Sequence, residues 1–197
     1  MKKRLTLFLY IAMAVLFVVQ GVVHFAYDRI TMPSQQTLDI SEFEVLDMKQ
    51  TGENTFVSVT NDPQFVLIDS TKYRIHTVKY TLAQPCSGAK CIYYANDRQP
   101  QFSGKNMIIA EENGTTTVEY ILPMNKTNRI RLDVTGDLAQ IIVVDEIIIN
   151  FRPSFFRYFD IDTMTVAKFL VIPPILVSVI MYVVELFFHY IRKQETE

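Results

Sequence analysis

Two long apolar segments bracket this chain of 197 residues, Leu5–Tyr27 near the N-terminus and Phe169–Ile191 near the C-terminus. Each is a little over 20 residues long, and a helix needs roughly 20 residues to cross the hydrocarbon core of a bilayer. We therefore expect an N-terminal transmembrane anchor in residues 1–30 and a C-terminal transmembrane helix in residues 164–191. Residues 38–152 remain for one small domain with a single core.

The charges beside the apolar segments predict their orientation. Lys2, Lys3 and Arg4 precede the first segment, and Arg192 and Lys193 follow the second. Because Lys and Arg favour the cytoplasmic side, we expect both termini to be cytoplasmic, with residues 192–197 as a short tail. The middle domain is then extracytoplasmic in a cell membrane protein with two spans. The alternative is that the first segment is a cleaved signal peptide, but its long apolar run favours an uncleaved anchor.

Composition and motifs exclude several classes of function. The net charge is −2 and the sequence pI is about 5.9, which argues against nucleic acid as a partner because such binding requires a basic stripe. No nucleophile motif or convincing carboxylate pair is visible, and the three histidines are scattered along the chain. We expect neither catalysis nor a metal or cofactor.

The middle region is predicted to be β throughout. Short runs of β-branched and aromatic residues alternate with polar ones, which is typical of strands. Turn-forming dipeptides such as Ser87-Gly88 and Gly136-Asp137 separate them. About eight strands predict a mostly β fold, a jelly roll or β-sandwich, with residues 28–37 as a polar linker before it. The predicted strands are Phe56–Val59, Phe65–Ile68, Tyr73–Tyr80, Cys91–Ala95, Met107–Ala110, Thr116–Leu122, Ile130–Val134 and Ile141–Ile149.

The order of strand ends in the second half of this region carries a resemblance. The residues concerned are Ile92–Tyr94, Gln101–Ser103, Thr117–Pro123, Ile130–Asp133 and Val144–Ile149. In this order they resemble the carbohydrate-binding-module-like jelly rolls of bacterial cell-envelope proteins, among them outward-facing domains of membrane glycosyltransferases and their accessory subunits. The resemblance implies a jelly-roll fold and a link to surface polysaccharide, with a glycan or a lipid-linked sugar as ligand.

Five polar and aromatic residues are candidates for that ligand. Arg131 and Asp133 share one face of a strand, because side chains alternate between the two faces. They either grip a sugar hydroxyl or a bound ion, or form an ion pair on the sheet surface or at its edge. Tyr93 and Tyr94, with the polar Asp97 beside them, would form a sugar-stacking platform. Adjacent strand residues face opposite ways, however, so one tyrosine should be in the core. The absence of Trp lowers the expectation of a stacking site.

Cys86 and Cys91 are the only cysteines. They flank a short loop, and an oxidising exterior permits a disulfide between them. The alternative is a metal site, which would need three or four ligands that the sequence does not bring near. We predict the disulfide.

The second apolar segment carries a polar stripe. Ser178, Tyr182, Glu185 and His189 are spaced so that they share one face of a helix, and Tyr10 lies in the facing half of the first segment. Three interpretations of Glu185 stay open: packing against a helix of this chain or a partner, snorkelling to the headgroups, and proton transfer.

Two further features lie near the outer end of that segment. Pro173-Pro174 lies inside the apolar run and is expected to kink the helix. An aromatic cluster with interleaved arginines precedes it and is typical of a membrane interface. Its aromatic members are Phe151, Phe155, Phe156, Tyr158 and Phe159.

Three classes of function remain. The sequence favours a non-catalytic integral membrane accessory or scaffold subunit, partnered by an integral membrane protein such as a glycosyltransferase or an exporter, in surface polysaccharide synthesis or export. The second class is a sensor or receptor that signals through a membrane partner. The third is a cell-surface glycan enzyme, which the missing catalytic motifs disfavour.

Overall fold

The chain forms two compact units. The computed structural model describes residues 2–67, 72–110, 115–124, 127–159 and 171–194, and for residues 2–6, 188–189 and 192–194 it describes the backbone alone. The sandwich unit is Tyr27–Pro153, and the helical unit combines Met1–Ala26 with Ser154–Glu197.

Helix α1 is Lys2–Thr31 and helix α2 is Ile172–Gln194. Leu7–Thr31 is long and apolar enough to cross a membrane, with a mean hydropathy of 2.2, and only 6% of its most apolar window is buried. The apolar part of α2, Ile172–Phe187, is shorter than the roughly 20 residues of a span. Residues 160–170, which would begin the predicted second span, lie outside the described residues.

Pro173 and Pro174 follow the first residue of the described α2, Ile172. Residues 160–170 lie outside the described part of the chain, so the kink expected at these prolines stays a prediction.

Within the described residues the sandwich has eleven strands in two antiparallel sheets. Sheet 1 has the order β3-β4-β11-β6-β9, with β1 also paired to β11, and sheet 2 has the order β2-β5-β10-β7-β8. The strands are β1 (Gln36–Leu38), β2 (Phe43–Leu46), β3 (Met48–Gly52), β4 (Thr55–Ser58), β5 (Gln64–Leu67), β6 (Thr77–Leu82), β7 (Lys90–Ala95), β8 (Met107–Ala110), β9 (Thr117–Ile121), β10 (Arg129–Asp133) and β11 (Ile141–Ile149). The chain crosses repeatedly between the sheets, which is the pattern of a jelly-roll sandwich and confirms the predicted β class.

One core fills the space between the sheets. Alternate residues of each strand face inward, as the two-residue period requires. Phe56 of β4 and Phe65 of β5 are at most 1% exposed, and their rings meet edge to face across the sheets at 5.3 Å, a favoured aromatic geometry.

The predicted linker of residues 28–37 is wrong. Asp28 lies in the last turn of α1 and is 1% exposed, and Gln36 and Thr37 belong to β1. The predicted strand at Tyr73–Tyr80 starts later, because β6 begins at Thr77. Asp28 belongs to a buried polar network at the end of α1, described below, and Gln36 and Thr37 are held by pairing with β11.

Candidate functional site

Strand β10 places the predicted Arg–Asp pair on the outer face of sheet 2. It lies between β5 and β7, and its inward residues Ile130 and Leu132 are fully buried. Arg131 is opposite Tyr93 of β7, and Asp133 is opposite Cys91. Period-two alternation therefore brings these four side chains to the same face of the sheet.

Arg131 is the centre of this group. Its Nε and Nη2 atoms donate to Asp133 Oδ1 and Oδ2, each at 2.7 Å, in the bidentate geometry that gives strong charge-assisted bonds. Nη2 also donates to Asp62 Oδ1 at 2.7 Å. The guanidinium lies 4.5 Å from the centroid of the Tyr93 ring, within the range of a cation–π contact. We call Asp62, Cys91, Tyr93, Arg131 and Asp133 the Arg131 cluster.

Burial differs strongly across the cluster. The side chain of Asp133 is 7% exposed, that of Arg131 18%, and that of Asp62 53%. Burial raises the pKa of Asp133, and the adjacent Arg131 opposes that rise. Burial opposes the charge of Arg131, but its hydrogen bonds and the charges of Asp133 and Asp62 raise its pKa overall. Asp62 is therefore the more solvent-exposed carboxylate of the cluster.

The Cys91 thiol of the cluster is protonated at neutral pH. Its Sγ lies 3.9 Å from Asp133 Oδ2. Burial, followed by the charge of the Asp133 carboxylate, raises the pKa of Cys91 to about 11. A thiol in this state is a poor nucleophile.

The predicted disulfide is absent, because Cys86 and Cys91 are both free thiols. Cys86 packs in the core, where its thiol donates to the Ile141 carbonyl at 3.6 Å. The Cys91 thiol contacts Asp133 on the outer face of sheet 2. The two sulfurs therefore lie on different sides of the sheet.

Two of the five predicted ligand residues lie elsewhere. Tyr94 packs against the core, as expected for one of two adjacent tyrosines. Asp97 lies in an exposed turn, where it accepts a hydrogen bond from Asn128 Nδ2 at 2.9 Å.

Asp62 was not predicted from the sequence as a member of this cluster. Asp62 comes from the loop before β5 and reaches Arg131 only through the tertiary fold. No local sequence signal indicates it.

A second polar group, also missed from the sequence, is buried in the sandwich unit. His76 Nδ1 lies 2.8 Å from Asp28 Oδ1, and both side chains are at most 2% exposed. The Tyr27 ring lies 5.6 Å from the His76 ring, and Arg74 Nη2 donates to the Tyr27 hydroxyl at 2.9 Å. Asp28 and His76 are closed to solvent, and Tyr27 and Arg74 are half-buried. The group ties the last turns of α1 to the loop before β6.

The helical unit contains a groove that joins part of the predicted polar stripe. Tyr10 of α1 faces Ser178 and Tyr182 of α2 across a cavity of about 420 Å³. The Ser178 hydroxyl donates to the Pro174 carbonyl within the helix at 2.8 Å. Glu185 is exposed on α2 and is not among the residues that line the groove. The side chain of His189 lies outside the described residues.

Comparison with family models and with curated proteins finds no match. Among solved structures, the low-affinity xylan-binding module CBM86 from Roseburia intestinalis is similar at 12% identity and a TM-score of 0.40, over 59% of this chain and 95% of that chain. A point mutant of CBM29-2, a family 29 carbohydrate-binding module, is similar at 11% identity and a TM-score of 0.41, over 66% of this chain and 99% of that chain. The CBM36-1 domain of a multidomain xylanase from the hindgut metagenome of Trinervitermes trinervoides is similar at 14% identity and a TM-score of 0.32. That match covers 61% of this chain and 100% of that chain. Each of these structural neighbours of the chain is a carbohydrate-binding module.

Proposed function

We propose that this chain is a membrane-anchored, non-catalytic accessory protein that presents a glycan-contacting β-sandwich outside the cytoplasm. The observation that carries the proposal is the exposure of α1. Its side chains are apolar over the full length of a membrane span, yet almost none of them is covered by protein. A surface of this size is stable only against lipid or against another apolar surface.

The register of the sandwich supports a two-span arrangement. Gln36 of β1 is paired with Ile149 of β11, so the two ends of the sandwich chain leave it side by side. Two helices that enter the same membrane require the two ends of the sandwich chain to leave it on the same side. The second span of the proposal is residues 164–191, and the basic residues at both ends of the chain favour cytoplasmic termini.

The Arg131 cluster is the proposed ligand face. It combines a fixed guanidinium with a half-exposed carboxylate, Asp62, and so offers a donor and an acceptor that suit the hydroxyl groups of a neutral sugar. Because the guanidinium covers one face of the Tyr93 ring, the ligand binds by hydrogen bonds rather than by stacking there. A surface glycan or a lipid-linked sugar has this chemistry.

The groove in the helical unit supports an integral membrane partner. Tyr10 and Tyr182 are 42% and 63% exposed, and polar groups inside a membrane favour contact with protein rather than with lipid. A helix of a glycosyltransferase or an exporter is the proposed occupant. The sandwich then serves as the ligand-contacting part of that assembly, and catalysis belongs to the partner.

The test uses the full chain in mild detergent or nanodiscs. We expect an integral membrane protein to co-purify with it, and immobilised cell-surface polysaccharides from the same cells to retain it. Asp62→Asn should weaken that retention, whereas Asp145→Asn, which removes an exposed carboxylate from sheet 1, should not. Equal retention of the two variants would reject the Arg131 cluster, and recovery of a lone monomer in several detergents would reject the accessory role.

A further inference from the structure

Residues 155–159 form an aromatic 3₁₀ turn that packs on α1 within the helical unit. The rings of Phe155 and Tyr158 both meet Phe25 edge to face, at 5.0 and 5.4 Å between centroids. Phe159 meets Phe17 in the same way at 6.3 Å. The turn therefore covers two turns of the helix with aromatic contacts.

A glycine makes this packing possible. A Cβ atom built on Gly21 would lie 2.5 Å from the Phe159 ring, closer than any ordinary van der Waals contact. The absent side chain thus leaves a notch in α1 that the Phe159 ring enters. The position of the turn along the helix is fixed by this notch.

The contacts run along the apolar length of α1, from Phe25 to Phe17. Phe25 is two residues before Tyr27, where the sandwich unit begins, or about 3 Å at 1.5 Å per residue. Gly21 is six residues before Tyr27, or about 9 Å along the same axis. On a membrane-spanning helix, the Phe159 end of the turn is therefore the deeper end.

The ring of Phe156 extends away from α1. Phe156 is 81% exposed, while Phe155 beside it is 40% exposed. The two rings meet at 5.8 Å, so Phe156 extends the aromatic layer away from the helix. Whatever surrounds this part of α1 also surrounds Phe156.

We propose that the Phe155–Phe159 turn is immersed among the acyl chains of the outer leaflet, with Phe156 as its lipid-contacting side chain. This differs from the interfacial belt that the sequence predicts, in which the aromatic side chains lie at headgroup depth. The inference rests on the proposed membrane anchoring. It adds a defined lipid-binding surface, built from the notch at Gly21 and the turn that fills it.

The chain contains no Trp, so one introduced indole reports on its own surroundings. Phe156→Trp is made in the full chain and reconstituted into phosphatidylcholine vesicles, with or without bromine atoms on the acyl chains. We expect blue-shifted emission that loses most of its intensity in brominated vesicles and is insensitive to aqueous iodide. The matched control is Ile109→Trp, a 52% exposed position in the sandwich, which should be quenched by iodide alone.

The outcomes separate the two proposals. Phe156→Trp emission quenched by iodide in chains that float with the vesicles would overturn the immersed turn and leave the anchoring intact. Blue-shifted emission that neither quencher reaches would also overturn it, because a protein would then cover the ring. Chains that do not float with vesicles would overturn the anchoring and the immersed turn together.

Discussion

The Arg131 cluster illustrates how one carboxylate can control its neighbours. Asp133 accepts both hydrogen bonds of a bidentate pair and lies beside a thiol. Its charge stabilises the Arg131 guanidinium and disfavours the Cys91 thiolate. The proposed ligand at Asp62 would therefore meet a framework that is already fixed, because Asp133 and Tyr93 hold Arg131 in place without it.

At this scale we predict slow alkylation of Cys91. The rate with iodoacetamide should increase with pH to a midpoint of about 11, because only the thiolate reacts. Asp133→Asn should lower that midpoint, since it removes the carboxylate that opposes the thiolate. A midpoint near the ordinary thiol value in the native chain, measured by mass spectrometry over a pH series, would contradict the buried environment.

The same raised pKa gives a pH dependence of stability. The unfolded thiol ionises at lower pH than the folded one, so stability linked to Cys91 is fully present below the unfolded pKa. That stability is lost as the pH rises through about 11. Cys91→Ser should flatten the loss of unfolding free energy over this range in denaturant titrations, and an unchanged slope would argue against the assignment.

Asp28 carries a second residue-scale prediction. Asp28→Ala leaves the buried His76 without its partner at 2.8 Å, which should lower the free energy of unfolding by about 1–3 kcal/mol. Asp97→Ala is the control, because Asp97 is an exposed carboxylate with one hydrogen bond. Denaturation followed by circular dichroism measures both variants, and equal losses would mean that the buried pair contributes nothing specific.

At the scale of elements, alternation and turn chemistry were sufficient for β4 to β11 but not for β1 to β3. Strand β3 is almost entirely exposed and has no apolar face, so it depends on its pairing with β4. Strand β1 has three residues and is held by β11. Such strands depend on long-range pairing, which local sequence does not encode. The same limit applies to Asp62, which is 69 residues from Arg131 in sequence.

Only part of the predicted polar stripe lines the groove in the helical unit. Ser178 and Tyr182 line one groove together with Tyr10. Helical spacing does not show where a groove ends, and Glu185 falls outside the groove lining. Its role in partner packing stays a prediction.

The notch at Gly21 gives an element-scale prediction. Gly21→Ala places a Cβ against the Phe159 ring and should destabilise the packing of the turn by about 1–3 kcal/mol, the usual cost of overpacking. Phe159→Leu in the same chain should recover part of that loss, because a smaller side chain accepts the Cβ. Thermal unfolding in detergent measures the single and double variants, and strictly additive effects would show that the two positions do not interact.

For the whole molecule, the prediction concerns topology. Protease added to intact cells or spheroplasts should degrade the sandwich and leave a tag at the C-terminus protected, because both ends of the chain are proposed to be cytoplasmic. Permeabilised cells are the control, in which the tag should be lost. Loss of the tag without permeabilisation would mean that the second apolar segment does not cross the membrane in the proposed direction.

The pairing of β1 with β11 has a mechanical consequence. Gln36 and Ile149 are the outermost pair of this antiparallel ladder, so tension between the N- and C-terminal ends of the sandwich acts on one end of the ladder. Load applied in this way opens hydrogen bonds one after another, whereas load along the strands would strain all of them at once. Lateral forces that pull the two ends apart would thus first load the Asp28–His76 pair at the end of α1 and then open β1 from β11 one hydrogen bond at a time, while the rest of the sheet carried little load.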